Sequence, residues 1–84
     1  MHPEVGGAIK ARDMEKGQIV VIAPPGRNVL MTMRVMSRVD DMVIFRGELP
    51  GGQSWVVVNR IRDDGACVDD QGRVVELYAY LGDD

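Results

Sequence analysis

The chain has 84 residues, of which 45% are hydrophobic and 27% are charged, and its formal net charge is −3. This composition excludes a disordered chain and is typical of one globular domain with a thin core. The longest apolar run has five residues, Ile19 to Ala23, whereas a membrane-spanning helix needs about 20, so we expect no membrane contact. The first residues lack the basic start and apolar stretch of a secretory signal, and we expect a cytoplasmic protein.

Residues 1–8 are expected to form a flexible lead, because they are rich in glycine and proline. Residues 9–84 are predicted to form a single β domain. The stretch from Ile9 to Lys16 contains good helix formers, and Gly17 after it is of the type that commonly ends a helix. We expect at most one short helix or turn before residue 18, since this stretch is too short for a stable independent helix.

Beyond residue 18 the apolar side chains recur with a period of two, which is typical of β-strands. Segments rich in aspartate, glycine and proline separate the periodic stretches and predict turns between them. Six strands are predicted, over residues 18–23, 29–39, 42–48, 54–62, 66–68 and 73–81. In the second of these, the odd positions from Val29 to Val39 are predicted to face the core and the even positions to face outward.

These strands predict an all-β fold, a small antiparallel SH3-like barrel or β-roll of five to six strands. Closure would protect segments that are apolar on both faces, because an open edge made of them would recruit other chains. A two-layer sheet that dimerises is the alternative. The run Lys16-Gly17-Gln18-Ile19-Val20-Val21-Ile22 resembles the Lys-Gly-x-x-Val opening of many SH3-like small barrels. The resemblance implies this architecture and carries over no functional residues.

Catalytic side chains are scarce in this sequence, which has one histidine, His2, and one cysteine, Cys67. A Ser–His or Cys–His nucleophile would have only the terminal His2 as its base. Cys67 lies between Ala66 and Val68, which predicts a buried thiol, and a lone cysteine excludes an internal disulfide. No glycine-rich phosphate loop opens a helix. We expect a protein that is not an enzyme and that holds no cofactor.

Four Asp-Asp pairs, at residues 40–41, 63–64, 69–70 and 83–84, are the most visible motif. Carboxylate oxygens suit a hard cation such as calcium, which is one interpretation of the pairs. Their spacing does not match a calcium-binding loop. Turn formation between strands explains them more simply, and we expect no metal site.

One set of side chains is predicted to face outward from the strands as an interaction surface. Eight of the ten basic residues are arginine, which suits planar, bidentate contacts. Methionine is frequent in the same strands, and its flexible thioether suits an adaptable interface. The predicted surface consists of Arg34, Met36, Arg38, Met42, Arg46, Arg60, Arg62, Tyr78 and Tyr80.

This surface predicts a non-catalytic interaction module that binds a protein partner or associates with itself, because tyrosine and arginine dominate protein interfaces. The alternative is binding of single-stranded nucleic acid, in which tyrosines stack on bases and arginines pair with phosphates. The modestly acidic net charge weakens that alternative. A third interpretation is a solvated face, whose arginines pair with cross-strand acids such as Glu48 and Glu76.

Overall fold

The computed structural model of the protein describes residues 3–48 and 51–83, and these residues form an antiparallel sheet of seven strands. A short 3-10 helix, Ala11–Asp13, precedes the second strand. No helix in these two ranges is long and apolar enough to span a membrane. The strands are β1 (Pro3–Ala8), β2 (Ile19–Ala23), β3 (Met31–Val39), β4 (Met42–Glu48), β5 (Ser54–Ile61), β6 (Cys67–Val68) and β7 (Glu76–Asp83). The all-β prediction is therefore confirmed.

The predicted count of five to six strands is wrong, because the segment expected to form the N-terminal lead contains strand β1. This strand pairs with β7, with Val5 opposite Tyr80 and Ala8 opposite Tyr78. Its sequence has no period-two pattern, so no local signal predicted it. At Gly6 a Cβ atom would lie 3.2 Å from the Cβ of Ala79. Glycine therefore permits β1 to approach β7 closely, and the strand forms through this long-range pairing.

The sheet is not a closed barrel, and its strand order is β1-β7-β2-β3-β4-β5-β6. A single bridge joins Val68 to Val74, and the Val75 N–H donates to the Cys67 carbonyl at 2.8 Å. Strand β6 has only two residues, because turns bracket it on both sides. A strand this short cannot build the continuous ladder that closure requires.

The core lies on one face of the curved sheet and is made of alternate residues from its strands. Phe45, Val35 and Val43 are fully buried at its centre. Cys67 is 3% exposed, which confirms the predicted buried thiol, and burial raises its pKa to about 11. The thiol is therefore protonated and inert at neutral pH.

A bulge at Met36 interrupts the alternation of β3. Val35 lies opposite Phe45, but the next paired residue, Ser37, lies opposite Ile44. A one-residue insertion reverses the faces of every later side chain in the strand. Val39, predicted to face the core, is therefore 62% exposed. Arg38, predicted to face outward, lies opposite the core residue Val43.

The start of β3 also differs from its prediction. The strand begins at Met31, and the two residues before it, Val29 and Leu30, are both about half exposed. The predicted core position of Val29 is therefore wrong. At the end of β7, Leu81 is 61% exposed although its alternation places it with the core residues.

Candidate functional site

Nine outward residues of β3, β4 and β5 form a regular grid of three cross-strand rows. Residues directly opposite each other in antiparallel strands lie on the same face, about 5 Å apart. We call these nine residues the β3–β5 face. Its rows are Arg34, Arg46 and Val56, then Ser37, Ile44 and Val58, then Val39, Met42 and Arg60.

The apolar residues of the β3–β5 face run through its centre between two opposite corners, Val39 and Val56, and most of them are open to solvent. Val39 is 62% exposed, Val56 is 60% exposed and Val58 is 47% exposed. Met42 is 39% exposed, and Ile44 between them is half-buried. Contiguous apolar surface of this kind marks an interaction site, whereas isolated exposed apolar residues do not.

The charged residues of the β3–β5 face are all arginines, although the chain has a net charge of −3. Arg34 lies opposite Arg46, and like charges in this position repel each other. The Nη1 of Arg34 donates to the Gly17 carbonyl at 3.1 Å, which ties this side chain to the turn before β2. Within residues 3–48 and 51–83, Arg46 and Arg60 form no ion pair and no side-chain hydrogen bond. Their guanidinium groups are available to a partner.

Two of the predicted surface residues, Arg38 and Met36, lie outside the β3–β5 face. The Nη1 of Arg38 donates to the carbonyl oxygens of Arg12 and Met14, the latter at 3.2 Å. Arg38 therefore holds the 3-10 helix and the residue after it against the end of the sheet. Met36 is the extra residue of the bulge and is half-buried.

Arg62 was predicted to belong to the interaction surface, but it forms an ion pair with Asp64 outside the β3–β5 face. It lies just after β5, and its Nη2 is 2.6 Å from Oδ2 of Asp64. The hydrogen bond from Arg62 and a second one from the Ala66 N–H lower the pKa of Asp64 to about 2. This pair closes the turn between β5 and β6, as aspartate commonly does.

The two predicted tyrosines lie on β7, and strand β2 separates them from β3. The Tyr78 hydroxyl donates to Glu76 at 2.5 Å, and this hydrogen bond raises the pKa of Tyr78. Tyr80 is half-buried and lies opposite Val5 of β1. The structure therefore assembles Arg34, Met42, Arg46 and Arg60 on one face and leaves the tyrosines outside it.

Sequence reasoning missed five members of the β3–β5 face: Ser37, Val39, Ile44, Val56 and Val58. A signal for two of them was present, because the run from Trp55 to Val58 is apolar at every position. Such a run places apolar side chains on both faces of its strand. For Ser37 and Val39 no local signal existed, because the bulge that turns them outward depends on the pairing of β3 with β4.

The chain matches no known protein family, no curated protein sequence and no solved structure. In the described ranges, no three histidine, cysteine, aspartate or glutamate side chains come together as a metal ion would need.

Proposed function

We propose that this domain is a non-catalytic interaction module that binds a protein partner through the β3–β5 face. One observation carries the proposal: a contiguous exposed apolar patch lies between arginines that form no ion pair with an acid of the described ranges. Apolar contact supplies most of the affinity of protein interfaces, and arginine is among the residues enriched at their energetic centres. Nine residues are fewer than the 20–30 per side of a standard interface, so the face fits a short segment of the partner.

The chemistry of the face selects a partner that combines apolar and acidic side chains. An acidic partner would neutralise Arg46 and Arg60 while its apolar residues cover Val56 and Val58. A second copy of the same face would bring six arginines together, with Glu48, two residues after Arg46 on the same face of β4, as the carboxylate that borders each set. Because charges buried without a partner are costly, the charge pattern favours a foreign acidic segment over self-association through this face.

Binding of single-stranded nucleic acid has less support. The β3–β5 face contains no aromatic side chain, whereas stacking of bases on aromatic rings provides much of the affinity in such sites. Tyr78 and Tyr80 lie on β7, and Tyr78 is hydrogen-bonded to Glu76. A nucleic-acid strand would have to cross β2 to reach both the tyrosines and the arginines.

We further propose that the architecture is related to the SH3-like small barrels. The bridge between Val68 and Val74 and the hydrogen bond between Val75 and Cys67 support this relation, because they join β6 to the segment that leads into β7. The Lys16–Gly17 turn that leads into β2 supports it as well. In such a fold the β3–β5 face is the convex outside of the sheet.

The test is a selection of random short peptides displayed on phage against the immobilised chain. We expect the enriched peptides to combine aspartate or glutamate with apolar residues. Val58→Glu and Arg46→Ala should each weaken their binding at least about tenfold, the change expected for loss of one central contact. Analytical ultracentrifugation should show a monomer, because the face disfavours a second copy.

Matched controls keep the test specific to this face. Val74 has the same exposed fraction as Val58, 47%, and lies outside the face, so Val74→Glu should leave peptide binding unchanged. Arg12→Ala is the corresponding control for Arg46→Ala, because Arg12 is exposed and lies outside the face. Enrichment of peptides without acidic residues, equal weakening by the control variants, or binding of oligonucleotides alone would each overturn the proposal. Self-association abolished by Val58→Glu would identify a second copy as the partner instead.

A further inference from the structure

A cavity of about 250 Å³ opens on the core side of the sheet, opposite to the β3–β5 face. Its floor is formed by Ile22, Asn59 and Val75, which are 2%, 3% and 5% exposed. Asn59 is the buried polar residue of the described ranges. The cavity is thus an apolar recess with one amide group at its base.

The side chain of Asn59 has no hydrogen-bond partner in residues 3–48 and 51–83. None of the described hydrogen bonds involves its amide. No fully enclosed side-chain nitrogen or oxygen in these ranges lacks a partner, so the Asn59 amide opens into the cavity instead of being sealed in the core. A primary amide carries two donors and an acceptor, and its burial without partners is unfavourable. This group is therefore available for a ligand that enters the cavity.

The walls of the cavity are largely apolar. They include Trp55 of β5 and Pro24 and Pro25 of the turn after β2. Met31 and Val57 complete the wall, and all five side chains are half-buried. An apolar cavity of about 150 Å³ binds benzene, so this larger cavity has room for one aromatic ring with substituents.

The mouth of the cavity carries three charged residues, with one positive charge in excess. Arg73 is already engaged, because its Nε lies 3.2 Å from Oδ2 of Asp69. Asp69 also accepts hydrogen bonds from the N–H groups of Gln71 and Arg73, both at 2.9 Å, so this side of the mouth is fixed. Arg27 has no ion pair within the described ranges and remains free to meet an anionic group.

We infer that this cavity is a binding site for a small aromatic carboxylate whose ring also bears a hydrogen-bonding substituent. The ring lies between Trp55 and the two prolines, the ring substituent bonds to the Asn59 amide, and the carboxylate meets Arg27. Sites for small ligands have this composition, mostly apolar walls with a few polar groups that fix orientation. The inference is independent of the proposed protein partner, because the cavity and the β3–β5 face share no residue.

Three probes of equal ring size test the inference: para-hydroxyphenylacetate, para-methylphenylacetate and para-hydroxyphenylacetamide. Binding is followed by calorimetry and by the fluorescence of Trp55, the single tryptophan of the chain. We expect para-hydroxyphenylacetate to bind about tenfold more tightly than the methyl analogue, which cannot bond to Asn59. The amide probe, which has lost the negative charge, should also bind more weakly.

Variants of Asn59 and Arg27 test which residue recognises the hydroxyl group and which recognises the carboxylate of the probe. Asn59→Leu should raise the melting temperature, because it replaces an unpartnered amide with an apolar side chain of similar size, and it should abolish the preference for the hydroxyl probe. Arg27→Ala, on the exposed rim, should remove the preference for the carboxylate and remains informative if Asn59→Leu fails to fold. Val58→Glu should change neither preference. Absence of heat and of fluorescence change with all three probes, or an unchanged hydroxyl preference in Asn59→Leu, overturns the inference.

Discussion

The indole of Trp55 occupies the space that a side chain at Gly47 would need. These two residues lie directly opposite each other in β4 and β5. A Cβ atom at Gly47 would be 2.6 Å from Nε1 of Trp55 and 2.8 Å from Sδ of Met33. Glycine therefore lets the tryptophan lie flat against the sheet, where the ring also forms one wall of the cavity above Asn59.

Gly47→Ala is expected to destabilise the fold by about 1–3 kcal/mol, the usual cost of inserting a methyl group into a packed core. Urea unfolding measures the change. Gly7→Ala is the control, because Gly7 also lies in a strand but has no atom within 4 Å of its Cβ position. If both variants are equally stable, the indole does not lie against Gly47.

Arg38→Met is expected to destabilise the domain by about 1–2 kcal/mol, since Arg38 donates to the carbonyl oxygens of Arg12 and Met14. Arg60→Met is the matched control, because Arg60 makes no such bonds within the described ranges. The two variants should also differ in function: Arg60→Met weakens peptide binding at the β3–β5 face, whereas Arg38→Met leaves it unchanged. Thermal unfolding and peptide titration of both variants check this separation.

The ion pair between Arg62 and Asp64 should make stability depend on acid pH. Its hydrogen bonds lower the pKa of Asp64 from 3.8 to about 2 in the folded chain. The unfolded chain therefore binds more protons between these values, and the stabilisation present above about pH 4 is lost as the pH falls toward 2. Asp64→Asn should flatten the fall in melting temperature across this window. Asp63→Asn is the matched control, because Asp63 forms no ion pair within the described ranges.

The thiol of Cys67 should react slowly with iodoacetamide while the domain is folded. Its pKa of about 11 makes the thiolate fraction at pH 8 about 100-fold smaller than that of an unperturbed cysteine. Mass spectrometry of the alkylated chain in buffer and in denaturing urea compares the two rates. Equal rates would show that the thiol is exposed and reactive in the folded domain.

The sequence predicted the local elements well, because their signals are local. The period-two pattern and the turns rich in aspartate or glycine indicated six of the seven strands, and the neighbours of Cys67 indicated its burial. The candidate site was predicted only in part. Arg34, Met42, Arg46 and Arg60 lie on one face of the sheet, whereas Arg38 and Arg62 form hydrogen bonds within the domain that no sequence pattern indicated.

The sequence itself determined the β class and the positions of most turns, since both depend on residues near one another in the chain. It also determined the scarcity of catalytic side chains, which follows from composition alone. The tertiary structure decided which outward residues form one surface. The bulge at Met36 places Val39 on the outer face of the sheet and Arg38 on the same face as the core residue Val43, and it arises where β3 pairs with β4. The cavity above Asn59 likewise needs strands and turns that lie far apart in sequence. Cross-strand register depends on residues that are far apart in the sequence. This register places apolar residues beside arginines on the β3–β5 face.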